Sequence, residues 1–267
     1  MSDSDQLTLH MPRFVMDLPD PLNAYKLRKG TWKFDYENLD EKQILDNILH
    51  DSRPRYCAET FEGFSDFDVI ELGPSDGYNT VGLEVAGARN ITAIEANTDG
   101  FLKCCLLKNA FNLRAKFLLG DFTKYLELPG MRADLVYASG VLYHLTDPVE
   151  FLAKCAAVAD NIFLWTFVYD EREIEVHDYE SARFAGSETR QIGGETFIYH
   201  KRFYDPAMVV DPKYQGGTDH SSFWMTFEDI EKALNIFGYQ IIRIVDDSYN
   251  RITAKNILAS KNKRPHV

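Results

Sequence analysis

The stretch Phe67-Asp68-Val69-Ile70-Glu71-Leu72-Gly73-Pro74-Ser75-Asp76-Gly77-Tyr78-Asn79 decides the fold. Its first half is a short apolar run closed by glycine, the pattern of a strand buried on both faces. Four runs of the same kind follow: ITAIEAN at 91–97, AKFLLGD at 115–121, ADLVYASG at 133–140 and NIFLWTFV at 161–168. Helix-length segments at 78–86, 100–110 and 148–159 separate them, the last behind Asp147 as its N-cap. Strand, helix, strand at this rhythm predicts a parallel sheet with helices on both faces.

Working outward, 226–267 completes that core: Thr226 and Asp229 form a capping-box pattern opening a helix that Gly238 ends. YQIIRIVDD and RITAKNILAS then alternate as an antiparallel edge hairpin turning near 248–250. Residues 170–225 are polar, rich in glycine and aromatics and without a clear period, which predicts a functional lid inserted after the fifth strand. Residues 1–62 carry interrupted helical patterning around 41–49 behind the aromatic stretch Trp32-Lys33-Phe34-Asp35-Tyr36, and are expected to form an N-terminal cap. The expectation is an α/β chain: a Rossmann-like, seven-stranded, mostly parallel sheet with an antiparallel C-terminal hairpin, a cap at 1–62, a core at 63–169 and a lid at 170–225.

The chain has 267 residues, enough for one large domain with its own core. Its 41 acidic and 29 basic side chains give a net charge of −12, which repels polyanions and anionic membranes and disfavours nucleic acid as a partner. The densest basic cluster, Lys261, Lys263 and Arg264, reads as a solvated end. Cys57, Cys104, Cys105 and Cys155 stand in no zinc or redox spacing, so reduced thiols in a cytoplasmic protein are expected. The N-terminus lacks a secretory pattern, and no run approaches the length of a membrane span.

In an open α/β sheet the ligand sits beyond the carboxyl ends of the strands, so the turn after the first strand names it. A dinucleotide fingerprint needs glycines where Gly73, Ser75 and Tyr78 stand, and two of the three are missing. No Gly-Lys-Ser/Thr follows, which excludes a phosphate-cradling Walker loop.

The pattern acid-x-Gly-x-x-x-Gly resembles the first motif of class I S-adenosylmethionine-dependent methyltransferases. Ser139-Gly140-Val141-Leu142-Tyr143-His144-Leu145-Thr146-Asp147-Pro148 resembles the G-V-L-Y-H-x-x-D-P segment of one branch of that superfamily, which includes bacterial tRNA wobble-uridine carboxymethyltransferases. The resemblance covers about 63–170 well and the C-terminal helix and hairpin moderately. It implies S-adenosylmethionine as donor. It places Glu71 against the methionyl amine, and Gly73, Ser75 and Gly77 in the turn beside the ligand. Glu95 with Ala96 falls at the ribose, Asp121 and Phe122 at the adenine, and Ser139 and Tyr143 on the methionine side.

Methyl transfer from a sulfonium needs chiefly alignment and exclusion of water. A hydroxyl acceptor must also lose its proton; His144 at the end of the fourth strand is the first candidate base, with His220 and Asp219 in the lid as the next. The lid histidines also raise the alternative of a divalent metal site, which the reading disfavours. Three functions follow: O-methylation of a small hydroxylated metabolite, sugar or natural product; tRNA wobble-uridine modification, against which the net charge argues; and a non-catalytic nucleoside-binding regulator. The oligomeric state stays open, a homodimer included.

Overall fold

The structure is a computed structural model that describes residues 15–28, 30–33, 39–205, 216–217 and 219–262. Phe34 and Tyr36 of the aromatic stretch, and Lys263 and Arg264 of the basic cluster, lie outside the described residues.

The central sheet has seven strands: β1 (Asp68–Leu72), β2 (Asn90–Glu95), β3 (Lys116–Leu119), β4 (Ala133–Ser139), β5 (Ala159–Phe167), β9 (Gln240–Tyr249) and β10 (Ile252–Ser260). Their spatial order is β3-β2-β1-β4-β5-β10-β9. The first five are parallel to one another, and β10 runs antiparallel to both β5 and β9. β1 lies between β2 and β4, so strand order reverses there, the point at which open α/β sheets take their ligands beyond the carboxyl ends of the strands.

The apolar runs are continuous because successive side chains enter different layers. On β4, Val136 and Ala138 join one core with Leu152, Ile162 and Ile257, while Leu135 and Tyr137 join the other with Cys57, Phe64 and Leu258. Helices α4 (Tyr78–Val85), α5 (Thr98–Ala110), α6 (Phe122–Leu126) and α7 (Pro148–Val158) supply the covering layers. Asp147 caps α7 by accepting from the Glu150 N–H, and Pro148 occupies its first turn.

The N-terminal residues form helices α1 (Pro21–Lys26), α2 (Glu41–Leu49) and α3 (Ser52–Thr60). Asp40 and Gln43 close a capping box on α2. The cap is fastened beside the β1 turn. Trp32 stacks on Tyr25 with ring centroids 4.3 Å apart, and the buried Lys103 of α5 donates to the Thr31 carbonyl.

Residues 170–225 depart from the sequence expectation of irregular chain. They contain two short helices, α8 (Glu171–Glu175) and α9 (Asp178–Ser181), and an antiparallel sheet of β6 (Phe184–Ile192), β7 (Glu195–Phe203) and β8 (Ser221–Trp224) in the order β6-β7-β8. β6 is almost wholly solvent-facing and carries little apolar alternation, while β7 buries only Phe197, Tyr199 and Arg202. A strand with one wet face and few apolar residues gives little periodic signal. The hairpin turns on Gly193 and Gly194, both at positive φ. Helix α10 (Phe227–Ile236), capped by Thr226, leads back to the edge hairpin β9–β10, whose turn is at Asn250 and Arg251.

Candidate active site

The carboxyl edge of the sheet gathers the acids that the sequence singled out. Glu71, near the end of β1, is buried and accepts a hydrogen bond from the Thr80 hydroxyl of α4. Burial, opposed by that hydrogen bond, pushes its carboxyl up to about 8. Glu95 ends β2 and takes the backbone N–H groups of Ser75 and Asn97, each at 2.8 Å. Burial raises its pKa against those two bonds. Ala96 beside it is exposed.

The glycine loop is shaped by contacts that exclude side chains. Gly73 (φ +64) donates to the Ile94 carbonyl, and a Cβ there would stand 3.3 Å from Val141 Cγ2. Gly77 (φ +82) opens α4, and a Cβ would meet Leu107 at 3.1 Å and Cys104 at 3.3 Å. Ser75 adopts φ 55, and its buried hydroxyl has no hydrogen-bond partner among the described residues.

The other predicted residues occupy the rest of this edge. Asp121 is exposed and caps α6 by accepting from the Thr123 N–H at 2.8 Å. Phe122 is half-buried and packs edge-on against Phe151, its ring turned partly into the core. Ser139 ends β4, and its hydroxyl accepts from Arg53 at 2.7 Å. Tyr143 is half-buried in a 3₁₀ turn (Leu142–His144) and makes edge contacts with Phe167, Trp165 and Trp224.

His144, in the same turn, bonds through Nδ1 to the Tyr204 hydroxyl at 2.6 Å. Burial and the nearby Arg202 guanidinium push its pKa down to about 3, so the ring is neutral near pH 7. His220 and Asp219 are exposed at the same corner, where the His220 carbonyl accepts the Tyr204 N–H. The lid histidines do not converge: His177 meets the Asn250 carbonyl, and His200 stacks on Tyr169 with ring centroids 3.5 Å apart. Among the described residues no group of three or more His, Cys, Asp or Glu is placed to hold a metal ion.

Sequence reasoning missed Arg53. It lies on α3, far along the chain from β4, yet it donates to Ser139 and lies over the Trp165 ring at 5.2 Å. Burial alone would lower its pKa, and its hydrogen bonds to Asp51 more than reverse that, so it keeps its charge. The carboxyl edge thus carries a cation at the end of β4 and, on neighbouring β1, a buried carboxyl that feels its charge. Nothing local to a polar helix in a cap announces such a role.

Residues 70–161 match the family model described as a methyltransferase domain. Solved structures share the fold. The N-terminal domain of EvdMO1 with SAH bound is 16% identical over 84% of this chain and 98% of that one, with a TM-score of 0.56. Magnesium protoporphyrin IX methyltransferase (ChlM) from Synechocystis with bound SAH is 15% identical over 84% and 89%, with a TM-score of 0.56. A S-adenosylmethionine-dependent methyltransferase from Clostridium acetobutylicum is 14% identical over 84% and 92%, with a TM-score of 0.52. No curated protein matches. Among the described residues no helix is long and apolar enough to cross a membrane.

Proposed function

We propose that the chain is a S-adenosylmethionine-dependent methyltransferase that O-methylates a small hydroxylated acceptor such as a sugar or natural product. The observation that carries this reading is the buried Glu71 carboxyl on β1, which feels the charge of the Arg53 guanidinium held at the end of neighbouring β4, with Glu95 and Asp121 at the next two strand ends. A buried carboxyl beside a fixed guanidinium complements the ammonium and carboxylate of an amino acid. The donor's methionyl end is such a group, and the Ser75 hydroxyl, buried without a hydrogen-bond partner among the described residues, supports a polar ligand at this turn. Glu95 then suits the ribose diol and Asp121 the adenine amine.

When bound, the donor supplies an activated methyl on sulfur, so this chain's residues have only to align the acceptor and keep water out. The three-stranded unit β6–β8 serves as the acceptor-side lid. Its Phe223 N–H bonds the Leu145 carbonyl, tying β8 to the turn that carries Tyr143 and His144. Tyr143, Phe167 and Trp224 provide an aromatic wall there. Two structurally similar proteins favour a small acceptor: EvdMO1 was solved in the presence of SAH and D-fucose, and ChlM is named for a porphyrin. The net charge of −12 favours this reading over a tRNA acceptor.

Titration calorimetry with S-adenosylhomocysteine and with NAD tests the donor. Binding of the first and not the second is expected, and absence of both refutes the reading. Transfer of labelled methyl to a panel of deoxysugars and phenols tests the acceptor class, and labelling of tRNA alone refutes it.

A further inference from the structure

His144 does not stand alone in its turn after β4. Its Nδ1 is 2.6 Å from the Tyr204 hydroxyl, and that hydroxyl donates to the Ser222 Oγ at 3.0 Å. A phenol has one proton, so an oxygen that donates to Ser222 must accept from the imidazole. With the phenol as donor to Ser222, Nδ1 carries the ring proton and Nε2 keeps its lone pair. No partner for Nε2 is present among the described residues.

Both members of the relay are held rigidly. Tyr204 and Ser222 are buried, the Tyr204 N–H bonds the His220 carbonyl, and Arg202 pairs with Ser222 in the β7–β8 ladder. The buried Arg202, locked to Glu180 at 2.7 Å, disfavours any charge on the ring. The turn bearing His144 lies against the glycine loop, where Val141 approaches Gly73.

We propose that Tyr204, backed by Ser222, is a positioning residue that fixes His144 as the Nδ1–H tautomer, so that Nε2 is a neutral hydrogen-bond acceptor for the hydroxyl of the methyl acceptor. This rests on the methyltransferase reading above. In the step it serves, the acceptor oxygen's lone pair forms the bond to the methyl carbon while the carbon–sulfur bond breaks toward sulfur. The acceptor's proton passes to Nε2 and from there to water. A neutral acceptor suits this order: the proton becomes strongly acidic only once the new bond has formed, so a weakly basic nitrogen suffices to receive it. The three-stranded unit thereby does more than cover the site, since it sets the chemical form of a side chain on the core.

The test is the tautomer itself, read on the intact protein by long-range proton–nitrogen correlation spectra with labelled histidine, His144 assigned by H144Q. The wild type is expected to show protonated Nδ1 and bare Nε2. Tyr204→Phe removes the partner, and Ser222→Ala lets the phenol donate to the ring instead; each should raise the Nε2–H population about fivefold, the weight of one neutral hydrogen bond. Retained binding of S-adenosylhomocysteine by both variants shows that they are folded. A wild-type spectrum with protonated Nε2, or spectra unchanged in both variants, overturns the proposal. Donor binding by the wild type is measured separately, so failure of the methyltransferase reading is distinguishable from failure of the tautomer assignment.

Discussion

Replacing Glu71 with Gln gives the sharpest test of the donor site, because one buried carboxyl controls both affinity and stability. In the free protein its carboxyl, ordinarily near 4.5, is raised to about 8 by burial, opposed by Thr80 and Arg53 and reinforced by Glu95. Pairing with a ligand ammonium requires the carboxylate. Between about pH 6 and 7 only about 1 to 10% of Glu71 is ionised, so linkage makes affinity for S-adenosylhomocysteine rise nearly tenfold per pH unit, with about one proton released on binding. The stability effect has the opposite sign. A carboxyl raised in the folded state contributes stability below its unfolded value, and that contribution is lost as pH rises from 4.5 through about 8. At about pH 7 the cost of keeping it neutral is about 3 kcal/mol. Glu71→Gln removes that cost while keeping an acceptor for Thr80, so Tm should rise by about 5–10 °C as donor affinity drops and loses its pH dependence. Calorimetry in two buffers of different ionisation enthalpy and a thermal melt read both effects. Flat affinity across the range, or wild-type affinity in the variant, would refute the argument.

Glu95→Ala should weaken S-adenosylhomocysteine binding about tenfold or more, because hydrogen bonds to charged groups are worth about 1.5–3 kcal/mol; equal binding isotherms would count against the ribose assignment. Arg53→Met should cost a similar factor, and Arg53→Lys should restore little of it, because the guanidinium spans Asp51 and Ser139 at once. Asp76→Asn leaves the buried Lys103 without one of its two carboxylates and should lower stability by about 3 kcal/mol, read from the urea midpoint. With His144 held near 3, the pH–rate profile should show no acid limb at about pH 6–7 from this residue; a limb there that vanishes in H144Q would contradict its environment. At low salt no tRNA complex should form in a gel-shift, and a saturable, salt-sensitive band would favour the tRNA reading.

The sequence alone determined the parallel core and the acids along its carboxyl edge. Both are written locally: short apolar runs closed by Gly73, Gly140 or an acid encode doubly buried strands, and Glu71, Glu95 and Asp121 stand at or just beyond strand ends because the runs themselves end there. The edge hairpin was legible for the same reason, since alternation and a turn are short-range signals. The three-stranded unit was not, because β6 and β7 bury too few residues to leave a period.

The crevice chemistry was decided only by tertiary structure. Arg53 reaches Ser139 across 86 positions, and Tyr204 reaches His144 across 60. The form of each titratable group depends on what the fold brings to it. Thr80 and burial set Glu71, while Arg202 and Tyr204 set His144. Strand patterns are properties of neighbouring residues, whereas charge and hydrogen-bond partners in a buried site are properties of folded space.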